Sequence, residues 1–281
     1  VVASAPVAGN SSSSTDVPVA PVLPTAAATD IPVVTDTPAQ PIVAAATSAN
    51  SAGLIQIETD VYRLWVNPRG GDVVRAELLK HSRSQGSNQP FVLLEEGEGR
   101  TYVAQSGLVG TNGRPLYQSP QMRYVLAAGQ TSLAVPLTFE AGNGVQIVKT
   151  FELKAGEYPI RVNHRVINRG TQAWQGLMFG QLKRDASVDP SVSSQGFFAV
   201  GTFLGGAWGT PDENYNKLKF ADFNESPLNA TVQGGWVAMV QHYFVSAWVP
   251  DAKQTAVLES RTVDGQYIMG FRSPTFSVAA G

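Results

Sequence analysis

The side chains able to do chemistry in this 281-residue chain are few: three histidines, no cysteine and a scatter of carboxylates. Without a thiol there is no disulfide, no thiolate nucleophile and no thiolate metal site, so only His, Asp and Glu remain as ligands. His164 falls in the run Ile160 to Val166, in phase with Ile160, Val162 and Val166, and reads as a satisfied core imidazole on the apolar face of a strand, ahead of a ligand. His242 lies in an aromatic run after Gly234-Gly235, where it reads as a structural group or a cleft wall. His81 sits in a polar turn and reads as solvated.

The acids group as Glu95-Glu96-Gly97-Glu98, Asp185 with Asp189, and Asp212-Glu213. Paired carboxylates can work as acid and base only at a fixed separation in space, and here loop charge and helix capping account for them. No Gly-x-Ser-x-Gly elbow occurs, and Gln105-Ser106-Gly107 shares only its Ser-Gly pair. The double glycines Gly70-Gly71, Gly205-Gly206 and Gly234-Gly235 read as tight turns or bulges. The expectation is therefore a non-catalytic protein with no cofactor and no metal site.

The elements that would carry these residues divide into two regions. Residues 1–53 are Ala, Val, Pro, Ser and Thr with seven prolines, no aromatic residue and only Asp16, Asp30 and Asp36 charged. Such a segment has nothing large to bury and reads as a disordered, semi-stiff tether. From Leu54 onward, short runs rich in Val, Ile, Phe, Tyr and Trp alternate with Gly, Asn, Pro and Ser clusters, the pattern of strands. The clearest is Val145 to Lys154, in which Val145, Ile147, Phe151 and Leu153 alternate with polar Gln146, Thr150 and Glu152. Asn143-Gly144 just before it predicts a tight hairpin with Ser132 to Glu140, and Thr111-Asn112-Gly113 suggests another turn.

About a dozen further runs read as strands, among them Ile55 to Val66, Phe197 to Phe203 and Val237 to Val249, each as one strand. Together they predict an all-β, large antiparallel sandwich over 54–281. One short helix is expected after Thr210-Pro211-Asp212-Glu213, with Thr210 as N-cap, Pro211 in the first turn and acids at the positive end.

With 43% hydrophobic residues the chain can bury a sizeable core. Twenty basic against twenty-two acidic residues leave no strong field for nucleic acid or for an anionic lipid surface. The strongest apolar run, Trp236 to Pro250, is too short to span a bilayer and carries Gln241 and His242. With no initiating methionine, the chain reads as a piece of a longer protein.

Several stretches occur in the order seen in the periplasmic domain of the YidC-type membrane protein insertases, which this chain resembles over 54–278. They are Asn67-Pro68-Arg69-Gly70-Gly71-Asp72-Val73, Gln89 to Glu95, Ala104 to Leu108, Phe179 to Lys183, Thr210 to Tyr215 and, most specifically, Gly234 to Pro250. The resemblance implies a β-supersandwich of the galactose-mutarotase-like kind on the periplasmic side of a bacterial inner membrane. It also implies partners: the SecDF accessory, the SecYEG translocon and nascent membrane proteins. In that family insertion belongs to a transmembrane bundle, so no insertase residue carries over to any position here.

A second reading, a carbohydrate- or peptide-binding module, would line a cleft with Trp236, His242, Tyr243 and Trp248. A third, a mutarotase-like sugar epimerase, would need His and Glu converging on one ring.

Overall fold

The computed structural model describes residues 53–110, 113–187, 203–241 and 243–281. The tether up to Ala52, the turn at Thr111-Asn112, all but the last residue of the strand expected from Phe197 to Phe203, Asp189 and His242 lie outside the described residues.

The described residues are almost wholly β. In chain order the strands are β1 (Ile55–Glu58), β2 (Tyr62–Asn67), β3 (Asp72–Ser82), β4 (Pro90–Gly97), β5 (Arg100–Val109), β6 (Arg123–Val125), β7 (Ser132–Gly142), β8 (Val145–Lys154) and β9 (Arg161–Asn168). They continue as β10 (Trp174–Arg184), β11 (Gly205–Gly209), β12 (Asn216–Leu218), β13 (Asn229–Gln233), β14 (Trp236–Val240), β15 (Val245–Trp248), β16 (Thr255–Val263), β17 (Gln266–Arg272) and β18 (Phe276–Val278). One helical turn, α1 (Asp222–Glu225), falls between β12 and β13 and buries Phe223.

An 11-stranded sheet runs β13-β16-β17-β10-β5-β4-β3-β2-β1-β6, with β18 added beside β10. All its pairings are antiparallel except β1 with β6. Beside it stand a four-stranded sheet, β12-β11-β14-β15, and a three-stranded one, β7-β8-β9. Side chains of all three sheets join one core, from Ile55, Leu64 and Phe91 through Leu137, Ile147 and Phe151 to Val237, Met239 and Met269. The all-β antiparallel architecture is as the alternation predicts, and no helix of the described residues is long and apolar enough to cross a membrane.

Three expectations need correction. Ile55 to Val66 is a hairpin, because Thr59 turns the chain: its Oγ1 accepts from Val61 N and Tyr62 N at 3.3 and 3.1 Å. Val237 to Val249 is likewise a hairpin, β14 with β15, closed by Gln241 N donating to Phe244 O at 2.8 Å. No helix follows Thr210. Its Oγ1 does accept from Glu213 N at 3.0 Å, as a capping residue would, but Thr210 N donates to Glu213 O and the chain returns as β12 against β11. Cross-strand pairing of Trp208 with Asn216 outweighs a local cap signal too short to sustain a helix.

Candidate functional site

The expected aromatic cleft does not converge on one face. β14 and β15 pair with Val237 opposite Trp248 and Met239 opposite Ser246. Since alternate residues point to opposite sides, Trp248 shares a face with Val237 and Met239, while Trp236 lies on the other. Trp248 turns inward over Gly180 and Phe271, its ring 6.2 Å from the phenyl and its Nε1 buried without a partner. Trp236 instead leans outward beside Tyr215, at 6.0 Å. Tyr243 stands 72% exposed at the turn between the strands. A sugar cleft thus loses the facing walls that the linear sequence suggests.

Asp185, Glu95 and Glu213 are engaged in structure. Asp185 accepts from Thr101 N at 2.6 Å and Ser187 N at 3.0 Å. Burial alone would raise its pKa, but hydrogen bonds from Ser187 and Thr101 and the nearby Arg184 outweigh it and hold the carboxyl below its usual range. Glu95 pairs with Arg75 at 2.8 Å, and Glu213 accepts from Asn216 Nδ2 at 3.1 Å.

A buried polar centre lies where β8 meets the main sheet. Lys149 is fully buried, in phase with Ile147 and Phe151, and its Nζ donates to Gly71 O at 2.6 Å, Ser106 O at 2.8 Å and Gly70 O at 3.3 Å. The glycine pair makes this possible: Gly70 at φ +83° and Gly71 at φ +63° hold a conformation that other residues resist. A Cβ on Gly71 would press on the Lys149 chain, and one on Gly70 on Arg114. Arg114 pairs with Asp72, whose carboxylate also accepts from Gln105 Nε2 at 2.8 Å. From there the hydrogen bonds run across the sheet through Gln181 to Arg261 and Glu259.

Burial lowers the pKa of Lys149 to about 7, with Asp72 opposing and Arg114 adding to the shift. His164, its cross-strand partner, is lowered to about 3 by burial and then by Lys149. Its side chain takes the apolar phase of β9 as expected, but neither imidazole nitrogen has a hydrogen-bond partner, so the expectation of a satisfied core imidazole is corrected: no polar group of the core reaches the ring. With the ammonium enclosed, this centre ties β8 to the main sheet; it offers no surface for a reaction. Sequence reading passed over Lys149, although a lysine at the apolar phase of an alternating strand is a visible sign of a buried polar anchor.

The surface feature that stands apart is the outer edge of the four-stranded sheet. Among the described residues every other edge is blunted: β7 carries Pro136, β9 exposes Arg161, Asn163 and Arg165, and β13 exposes Asn229, Thr231 and Gln233. Strands β6, β12 and β18 are each three residues long. Proline, charge and brevity are the usual protections against strand addition. Strand β15, four residues long, has neither proline nor charge, and its exposed face is apolar where that of β13 is polar: Val245 and Ala247 face outward, and Val249 just beyond is 71% exposed.

Comparison with known proteins converges on one family. A family model described as the YidC periplasmic domain matches residues 54–281. A protein named membrane protein insertase YidC from Azotobacter vinelandii is 46% identical over 245 residues, covering 83% of this chain and 43% of that protein. One from Stutzerimonas stutzeri is 44% identical over 278 residues, covering 94% of this chain and 49% of that protein. The chain therefore spans just under half the length of the curated relatives it matches. Among solved structures, a galactose mutarotase-like protein from Lactobacillus casei superposes with a TM-score of 0.47 at 8% identity, over 82% of this chain and 96% of that one. So loose a likeness implies nothing about activity.

Proposed function

The chain belongs to the YidC periplasmic domain family, and from that premise we propose that it is a non-catalytic docking module of a bacterial inner-membrane insertase, working on the periplasmic face. Its relatives are named for inserting membrane proteins, which supports nascent membrane proteins as the polypeptides it would meet; SecDF and SecYEG enter as proposed partners from the family resemblance alone. One observation carries the docking reading: among the described residues β15 is the uncharged edge strand whose outward face is apolar, where β13 presents polar side chains. An extended segment added there would complete backbone hydrogen bonds and lay alternate apolar side chains beside Val245 and Ala247. Confinement beside a membrane partner supplies a high effective concentration, so micromolar affinity suffices.

The test introduces a lysine onto that edge. Titration of the isolated chain with the periplasmic portion of SecDF should give weak binding that Val245→Lys abolishes and Thr231→Lys, on the edge strand β13, leaves intact. Absence of binding at high micromolar concentration, or equal binding by Val245→Lys, would refute the proposal.

A further inference from the structure

The end of the molecule where the β14–β15 turn meets the β3–β4 connection joins local charge to exposed aromatic surface. The stretch from Leu79 to Leu94 contains Lys80, His81 and Arg83 and no acid, and residues 241–250 contain no acid either. Lys80, His81 and Arg83 are exposed. A chain whose total charge is near zero thus carries a rim of one sign.

Beneath the rim is a packed ring cluster. Phe244 stacks on buried Phe91 at 4.2 Å and meets His81 edge-on at 5.3 Å. His81 Nε2 lies 3.1 Å from the Tyr158 hydroxyl, and Tyr158 in turn packs edge-on against Tyr62 at 5.3 Å. These contacts hold the β14–β15 turn against the end of β3, where His81 lies in the strand and not in the turn its sequence suggests, and against the start of β4. Tyr243 at 72%, Val245 at 58% and Tyr158 at 37% exposure crown this surface. On the neighbouring connections, Asp60 accepts from Gly156 N at 2.9 and 3.1 Å, and Glu157 pairs with Lys154 at 3.6 Å, so neither forms an ion pair with Lys80 or Arg83. Arg63 alongside is held by Glu58 and Glu77. Lys80 and Arg83 remain to face an external anion.

We propose that this end of the domain rests on an anionic phospholipid surface, with Tyr243 and Val245 entering the headgroup layer and Lys80 and Arg83 pairing with lipid phosphates. Amphipathic rings settle at the membrane–water boundary, and each cation near an anionic leaflet adds a modest attraction. Such contact is weak alone, and it suits a domain held beside a membrane. The proposal rests on the family reading only for the presence of a bilayer nearby, and it would bring the open β15 edge next to chains leaving that bilayer.

Flotation of the isolated chain with vesicles tests it without any protein partner. Vesicles of phosphatidylglycerol and phosphatidylethanolamine should carry the protein, and pure phosphatidylcholine vesicles should not. The Lys80→Glu/Arg83→Glu double variant should lower partition by about thirtyfold or more. Tyr243→Ser should lower it without moving the melting temperature, while Lys253→Glu, on the exposed loop before β16, should leave it unchanged. Equal partition into both vesicle types, or equal loss in Lys253→Glu, would overturn the proposal. So would a double variant that binds vesicles normally but loses a polypeptide ligand, which would make the rim a protein contact. Loss of vesicle binding in Lys80→Glu/Arg83→Glu with SecDF binding kept would separate the lipid surface from the docking edge.

Discussion

The three-stranded and four-stranded sheets both feed the same core, yet one is closed and the other left open. The β7-β8-β9 sheet is anchored through Lys149, whose ammonium reaches carbonyls of the β2–β3 turn and of β5, and its edges carry Pro136 on one side and Arg161 and Arg165 on the other. The β12-β11-β14-β15 sheet is held by apolar contacts of Met239, Val237 and Trp248 and ends in an uncharged strand. A sheet whose task is architecture buries its polar anchor and protects its edges. Leaving one edge apolar invites aggregation, and that liability is tolerable where a partner is meant to sit.

The anchor should show the largest effect. Lys149→Ala removes the donor to three buried carbonyls and leaves a cavity, and should cost about 3 kcal/mol in denaturant unfolding. Lys149→Met, which keeps the volume, should cost about half as much. If both variants unfold like the parent, the two small sheets are held alike and the contrast fails.

Next in size is the phase of β9. Val162 and Val166 pack against the core while Arg161 and Arg165 are exposed, so Asp at either valine should destabilise by about 2 kcal/mol more than Asp at either arginine. Matching melting shifts for the two pairs would mean that β9 is not packed as described.

The pH dependence sharpens the role of the anchor. His164 titrates at about 3 in the folded chain against 6.5 as a free side chain, and Lys149 at about 7 against 10.5. In both cases the unfolded chain binds the extra proton, so stability rises with pH from about 3 to 6.5 and again from about 7 to 10.5. Each group contributes at most about 1.4 kcal/mol per pH unit within its window. Unfolding followed across pH should show both rises, with His164→Leu removing the first and Lys149→Met the second. His164→Leu should also be neutral or stabilising at pH 5, because it deletes two buried nitrogens that have no partner. A curve that is flat in both windows would exclude these titrations.

The smallest stability effect belongs to the open edge. Val245→Lys should shift unfolding by no more than about 0.5 kcal/mol, since the side chain points to water. A large loss would show that the edge is already covered within the chain.

Period-two alternation was legible wherever the residues themselves carry it: Val145 to Lys154, the Asn143-Gly144 hairpin and the inward phase of His164 all follow from steric and burial rules acting over a few residues. The sequence by itself therefore determined the β class, most strand positions and the family. It could not say that Thr59 and Gln241 break two long runs into hairpins, or that Thr210 caps a return instead of a helix. Those outcomes depend on which distant strand offers a hydrogen-bonding partner. Tertiary structure alone decided that Gly70-Gly71, Asp72, Ser106, Arg114 and Lys149 form one polar centre, that Trp236 and Trp248 part company, and that β15 is the unprotected edge. Each of these is a relation between segments far apart in the chain, set by sheet order and register, and local propensity contains no information about either.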